Sequence, residues 1–185
     1  MITRTKFKGL ALAAVVIAGS IGLQTCGKAT DSNSETFTAP IITNDRSEIG
    51  TLTLTETSEG VEAHVKLSGI SPGKHGVHFH SVGDCSDDKF LNTKAHINPH
   101  GHKHGLKNPD GPDNADLVNL LADADGNVDQ VLKSPRVSFH NSPAAVNPGL
   151  FDADGSALVI HANEDDQITQ PIGGAGPRIG CAEIK

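Results

Sequence analysis

The 185-residue chain contains neither tryptophan nor tyrosine, and its aromatic side chains other than histidine are six phenylalanines. It also has almost no stretch in which apolar residues recur at the spacing of an amphipathic helix. Instead, short segments of alternating apolar and polar residues are separated by two long irregular stretches, 81–115 and 162–177. Together these features predict an all-β protein, an antiparallel sandwich or barrel of seven or eight strands.

The alternating segments place the predicted strands. EIGTLTLTE (48–56) and VEAHVKLSG (61–69) have Gly60 in their connection, which predicts a hairpin. ADGN (124–127) is typical of a hairpin turn. The other predicted strands are 75–80, 116–123, 127–133, 156–162 and 178–184.

No apolar run is long enough to cross a bilayer as a stable helix. The longest, 10–23, follows three basic residues, which is typical of an export signal. Leu-Gln-Thr-Cys (23–26) resembles the lipobox of bacterial lipoproteins, although Thr25 replaces the usual smaller residue. We therefore expect 1–26 to be an export signal and the protein to lie in the bacterial cell envelope or periplasm, anchored by lipid on Cys26. Ordinary signal cleavage and a buried thiol are the alternatives.

The chain also has fewer basic than acidic residues. Its 15 basic and 22 acidic residues give a net charge of −7. Three basic and no acidic residues lie within 1–26, so the remainder has 12 basic against 22 acidic residues and a net charge of −10. This balance argues against nucleic acid or an anionic membrane surface as a partner. The segment 27–47 is polar and lacks periodicity, which predicts a flexible tether before a single domain, 48–185.

Cysteine is scarce, with three residues. Cys26 lies at the signal boundary, which leaves Cys85 and Cys181 as a pair in an exported chain, where disulfides persist. Closing so long a loop would stabilise the fold by roughly 3–5 kcal/mol.

Histidine, by contrast, is plentiful, with ten residues. His78 and His80 are two positions apart on a predicted strand, so both imidazoles project from the same face. His161 ends another predicted strand before an acidic loop, and His96 and His104 belong to a loop that holds four histidines. Several imidazoles combined with aspartates suit zinc or copper.

Four segments carry a resemblance to a known family. GKHGVHFHSVGDCS (73–86), KAHINPHGHKHG (94–105), GSALVIHANEDD (155–166) and GGAGPRIGCAEI (173–184) resemble, in the same order, the signature segments of copper-zinc superoxide dismutases, of the bacterial type. The resemblance extends over 48–185. It implies an eight-stranded Greek-key β-barrel with an Ig-like sandwich architecture, copper and zinc as cofactors, and disproportionation of superoxide to dioxygen and hydrogen peroxide.

The resemblance also implies a set of site residues. The copper ligands would be His78, His80, His96 and His161, and the zinc ligands would be His96, His104, Asp113 and Asp116. His96 would join the two metals through its two ring nitrogens and carry a proton during turnover. Asp165 would bind a copper histidine and a zinc histidine, Arg178 would attract the anionic substrate, and Cys85 and Cys181 would form the family's disulfide.

Asp113 departs from the family pattern, which has histidine there. A carboxylate oxygen reaches about as far as the Nδ1 atom of histidine, and zinc accepts both, so we expect an altered zinc site. Three alternatives remain: His100 or His102 replaces the missing ligand, the site loses zinc and keeps copper, or Asp113 is a turn residue of GPDN.

The net negative charge of the chain would repel an anionic substrate. The loop 162–176 contains no lysine, so any attraction beyond Arg178 must come from lysines of the long histidine-bearing loop: Lys89, Lys94, Lys103 or Lys107. The alternative function is a dismutase-like protein that stores or buffers copper or zinc with little turnover. The resemblance does not select an oligomeric state.

Overall fold

The computed structural model describes residues 34–141 and 147–185. The predicted export signal, the lipidation candidate Cys26 and the segment 27–33 lie outside the described residues. Within the described part of the chain, no helix is long and apolar enough to span a membrane.

The described residues form nine antiparallel strands, and their regular helical structure is one 3-10 turn, Leu91–Thr93. Seven strands form a curved sheet in the order β5-β8-β9-β1-β2-β3-β7, and β4 pairs with β6. The predicted all-β barrel is therefore confirmed. The strands are β1 Thr36–Thr43, β2 Glu48–Thr57, β3 Gly60–Leu67, β4 Gly73–His75, β5 Val77–His80, β6 Leu120–Ala122, β7 Val128–Ser134, β8 Ser156–His161 and β9 Arg178–Ile184.

The alternating pattern explains which side of each strand faces the core. In the β2–β3 hairpin, Leu52 pairs with Val65 and Leu54 with Ala63, and all four side chains are buried. Polar residues occupy the positions between them and are more exposed. The predicted hairpin is present, since strands of this period bury one face and leave the other to solvent.

The prediction of a tether over 27–47 is wrong for its second half. Thr36–Thr43 forms β1, which pairs with β2 along most of its length and with β9 at Ile42 and Thr43. Ala39 and Ile41 enter the core, whereas Pro40, which would disfavour a strand assignment, faces outward. The domain therefore begins ahead of residue 48.

Two other predicted strands differ from the observed ones. The segment 75–80 is divided at Gly76, whose N–H donates to the carbonyl of Asn163 at 2.8 Å and whose carbonyl accepts the N–H of His161 at 2.8 Å. In the segment 116–123 the strand covers Leu120–Ala122. The residues before it belong to the histidine-bearing loop, where Asp116 forms an isolated bridge with His78.

The β8 strand lies between two apolar clusters. Leu158 and Ile160 face the main barrel core, whereas Ala157 and Val159 face a smaller cluster that contains Phe90 and the disulfide-forming cysteines. This burial on both faces accounts for the continuous apolar run of the strand. Two long loops, 81–119 and 162–177, leave the barrel beside this strand and carry His96, His104 and Asp165.

Candidate metal centre

Strand pairing brings the predicted ligands together. β5 pairs antiparallel with β8, so His78 and His80 lie next to the strand that His161 ends. The loop 81–119 crosses β5, with bridges from His96 to His80 and from Asp116 to His78. Residues far apart in the chain thus meet at one end of β5.

We name His78, His80, His96 and His161 the histidine group. Ligand nitrogens of His78, His80 and His161 lie within 4.8 Å of one another. The His96 ring lies 4.4 Å from the His78 ring and 5.2 Å from the His80 ring, measured between centroids. Three imidazoles therefore share one candidate metal position, and the His96 ring lies against two of them.

Backbone carbonyls orient two of these rings. His80 Nδ1 donates to the carbonyl of Lys94 at 2.8 Å, and His161 Nδ1 donates to the carbonyl of Gly176 at 2.9 Å. Since a neutral imidazole carries one N–H, these bonds leave Nε2 of each ring with a free lone pair. Metal-binding histidines are characteristically fixed in this way.

The inward-facing nitrogens of the histidine group have no hydrogen-bond partner. Among the described residues, five buried side-chain polar atoms lack one, and four of them are Nδ1 of His78 and Nε2 of His80, His96 and His161. Burial lowers the pKa of His78 to about 3 and that of His161 to about 4, and it holds the pKa of His80 well below its usual value. Neutral, convergent lone pairs that cost free energy when unpaired fit a bound metal ion.

We name His96, His104, Asp113 and Asp116 the mixed group, whose ligand atoms also lie within 4.8 Å of one another. His104 Nδ1 donates to Asp116 Oδ1 at 2.6 Å, and His96 Nδ1 donates to Asp113 Oδ2 at 2.9 Å. The second oxygen of each aspartate accepts backbone N–H groups of the same loop. Each carboxylate is thereby held with one oxygen toward the histidines.

The pKa of His104 in the mixed group is raised, whereas the pKa values of His78 and His161 are lowered. Burial lowers the pKa of His104, but its hydrogen bonds to Asp116 and Asp165 outweigh burial and raise that pKa to about 10. Burial raises the pKa of Asp116, and the bond from His104 more than offsets it, so the pKa is below its usual value. Two carboxylates and two imidazoles provide a ligand set that suits zinc.

Asp165 connects the two groups. Its Oδ2 accepts from His78 Nε2 at 2.8 Å, and its Oδ1 accepts from His104 Nε2 at 3.1 Å. Burial raises the pKa of Asp165, yet the bonds from His104 and His78 outweigh this and hold the pKa far below its usual range. Gly173 packs against this carboxylate so closely that a Cβ atom would lie 1.7 Å from Oδ1.

Arg178 lies beside the histidine group at the start of β9. Its guanidinium donates to the carbonyls of Phe90 at 2.6 Å and Lys94 at 2.8 Å, and to Thr93 Oγ1 at 2.8 Å. It lines one open cavity with His80 and His96, and another with His161 and Lys89. A fixed cation therefore borders the route from solvent to the imidazoles.

The family model for copper/zinc superoxide dismutase (SODC) matches residues 48–184 of this chain. The chain belongs to this family. It is 45% identical over 149 residues to the Cu-Zn superoxide dismutase of Caulobacter vibrioides, covering 80% of this chain and 84% of that one. It is 36% identical over 171 residues to Cu-Zn superoxide dismutase 2 of Aquifex aeolicus, covering 92% and 96%.

The fold agrees with the family. A SOD-like protein from Bacillus subtilis superimposes with a TM-score of 0.76 at 29% identity, covering 83% of this chain and 100% of that one. Copper and zinc are the metals named for the copper/zinc superoxide dismutase family. The unpartnered imidazole nitrogens and the carboxylate-rich mixed group fit these two metals, respectively.

Asp113 lies with the other residues of the mixed group, at the position where the copper/zinc superoxide dismutase pattern has histidine. It is 3% exposed. His100 and His102, the alternative ligands, are both exposed. The arrangement favours Asp113 over either histidine as the third residue beside His96 and His104.

The predicted disulfide between Cys85 and Cys181 is confirmed, with the Cα atoms 6.1 Å apart. It ties the loop after β5 to β9, the strand that begins with Arg178. Arg46 reinforces the same loop by donating to the carbonyls of Cys85 and Ser86.

Two positioning residues escape the sequence patterns. The Lys94 carbonyl accepts from both His80 and Arg178, so one peptide group orients the imidazole and the guanidinium together. Arg136 donates to the carbonyls of Asp113 and Asp116 and thereby braces the mixed group from behind. Both contacts involve main-chain oxygens, which no side-chain motif specifies.

Proposed function

We propose that this chain is a copper-zinc superoxide dismutase that disproportionates superoxide to dioxygen and hydrogen peroxide. The observation that carries the proposal is the set of four neighbouring buried imidazole nitrogens without hydrogen-bond partners, beside a fixed arginine at an open cavity. Copper, when bound there, supplies the one-electron oxidation and reduction that the reaction needs. The protein supplies the geometry, the charge and a proton.

The ligand assignment follows the atoms that point inward. Copper would be held by Nδ1 of His78 and by Nε2 of His80, His96 and His161. Zinc would be held by His96, His104, Asp113 and Asp116, whose ligand atoms cluster on the other side of the His96 ring.

His96 is the one member of the histidine group that also belongs to the mixed group. Its Nδ1 faces the Asp113 carboxylate. It can therefore hold a proton at Nε2 while Nδ1 remains on the carboxylate side, which suits it to deliver a proton to the substrate.

Arg178 and Lys89 attract and orient the anion. Arg178 is held by three acceptors, so its planar cation has a fixed direction. Lys89 lines the same cavity as Arg178 and His161, which supports it as the steering lysine among the four candidates. Asp88, also on this wall, reduces its local field.

Reconstitution tests this function. The purified chain is loaded with copper and zinc, metal content is measured by elemental analysis, and superoxide consumption is compared with that of the same concentration of free copper. We expect one copper and one zinc per chain and activity well above free copper. Activity no higher than free copper would contradict the enzyme assignment and favour a metal-buffering protein.

We also propose that the protein is exported to the bacterial envelope and anchored through lipid on Cys26. The charged and apolar segment 1–26, the lipobox-like Leu-Gln-Thr-Cys and the disulfide support this location. Cells grown with labelled palmitate should label the parent and not a Cys26→Ala variant. Equal labelling of both would contradict the anchor.

A further inference from the structure

The loop 95–105 holds two histidines that the metal centre does not use. His100 and His102 are both exposed, and their ring centroids lie 5.8 Å apart. Four of the ring pairs within the histidine group are separated by 4.4 to 6.1 Å. The outer pair therefore has the spacing of imidazoles that can share one metal ion.

Local hydrogen bonds orient His102. The Asn98 side chain donates to the His102 carbonyl at 2.8 Å and accepts the His102 N–H at 3.0 Å. The His102 ring donates from Nδ1 to the carbonyl of Pro112 at 3.2 Å. This bond leaves the Nε2 lone pair available, the arrangement characteristic of a metal-binding imidazole.

The position of His102 relates it to the buried groups. It lines the same open cavity as His80, His96, His104 and Asp113. An ion held at this pair would lie on the wall of the cavity that leads to both groups of ligands.

We propose that His100 and His102 form an exposed, exchangeable site for divalent zinc or copper that captures an ion from solvent before it reaches the buried groups. Imidazole suits both metals. Two protein ligands leave the remaining coordination positions to water, so the ion can leave readily, unlike one held by four protein ligands. The acidic balance of the chain favours the approach of cations. The delivery role rests on the proposed function of the buried groups.

The first test measures binding at the exposed pair. The full chain, already holding one copper and one zinc, is titrated with zinc chloride while equilibrium dialysis counts bound ions and NMR follows the histidine ring C–H signals. We expect a third ion and joint shifts of the His100 and His102 signals. An H100Q/H102Q variant should lose the third ion. A matched H64Q/H140Q variant, which removes two histidines outside this loop, should keep it.

The second test measures delivery. The metal-free chain is mixed with zinc nitrilotriacetate, and the rate of zinc uptake is followed to completion. We expect H100Q/H102Q to load several-fold more slowly than the parent and H64Q/H140Q, and all three to reach the same final content.

Absence of the third ion, its survival in H100Q/H102Q, or an unchanged loading rate would each overturn the proposal. Failure of the proposed function would be distinguished by a low final metal content in the parent. The NMR shifts of His100 and His102 decide the outer site even then, because they do not depend on the buried groups.

Discussion

The histidine group and the mixed group share His96 and lie side by side, yet their polar atoms are satisfied in opposite ways. Each ring of the histidine group has one nitrogen fixed by a hydrogen bond and one nitrogen with no partner. In the mixed group, the histidine nitrogens and carboxylates that would bind zinc are bonded to one another. In the histidine group, the unpartnered nitrogens gain a contact only when an ion binds. In the mixed group, protons on the histidines can take the place of an ion, because they bond to the carboxylates.

The two groups also affect the stability of the metal-free fold differently. A buried polar atom left without a partner costs about 1–3 kcal/mol, so the four nitrogens of the histidine group destabilise the metal-free fold. The mixed group instead forms close ion pairs, because His104 is protonated between Asp116 and Asp165. Metal binding should therefore stabilise the protein mainly through the histidine group.

Replacing His161 by alanine should have the largest effect, because it should abolish copper binding and leave zinc binding intact. His161 supplies one of the four inward nitrogens and contacts no carboxylate of the mixed group within hydrogen-bond distance. We expect copper binding and activity to fall to the background of free copper while zinc is retained, measured by elemental analysis and superoxide consumption. His140→Ala, at an exposed histidine, is the control; substantial activity in His161→Ala would contradict the copper assignment.

Replacing Asp113 by asparagine should have the converse effect. The change removes one of two anionic ligands, so we expect zinc affinity to fall by more than tenfold, about 1.4 kcal/mol or more, while copper content stays the same. Asp110→Asn, an exposed position of the same loop, is the matched control. If Asp113→Asn binds zinc as tightly as the parent, Asp113 is a turn residue and not a ligand.

Replacing Asp165 by asparagine should weaken both groups. An amide would direct an N–H toward His78 or His104, each of which now donates to this carboxylate. Loss of such an outer partner typically lowers metal affinity by about 10–100-fold. Asp166→Asn is the control, because the Asp166 side chain bonds only to residues of its own loop. Equal affinities in competition with a chelator for the two variants would rule out the connecting role.

The metal-free protein should be less stable in acid and in alkali than near pH 6.5. His78, His80 and His161 have pKa values lowered by burial, to about 3 for His78 and about 4 for His161, so their contribution is present above pH 6.5 and is lost as pH falls toward those values. His104, with a pKa raised to about 10, contributes fully below pH 6.5 and loses this contribution as pH rises through 10. Each group changes the free energy of unfolding by up to about 1.4 kcal/mol per pH unit.

Urea unfolding of the metal-free chain across this pH range measures the effect. A free energy of unfolding that stays constant between pH 6.5 and 4 would mean that His78, His80 and His161 do not remain neutral. The fully loaded chain, with its nitrogens engaged, is the comparison and should show a smaller dependence in the mildly acidic range.

Part of the site and most of the fold could be predicted from the sequence. His78 and His80 could be placed because period-two alternation sets their common face, and the other candidate ligands because their segments resemble those of a family. β1 was not predictable from its pattern, because Pro40 interrupts it and the pairing with β2 and β9 is set by distant parts of the chain. Lys94 could not be assigned a positioning role, because its backbone carbonyl accepts the hydrogen bonds from His80 and Arg178, and every residue has a backbone carbonyl.

Replacing Lys94 by glycine should have the smallest effect and the opposite sign. Lys94 has φ 64° and ψ −144°, a conformation that favours glycine, while its carbonyl holds His80 and Arg178. Relief of this strain is worth about 1–3 kcal/mol, and the added freedom of glycine in the unfolded chain offsets roughly 0.5–1 kcal/mol. We expect a net stabilisation of about 1 kcal/mol in urea unfolding, with metal content unchanged. Lys103→Gly, an exposed lysine of the same loop without a positive φ, should be destabilising; a loss of stability in Lys94→Gly equal to that of Lys103→Gly would show that position 94 stores no strain.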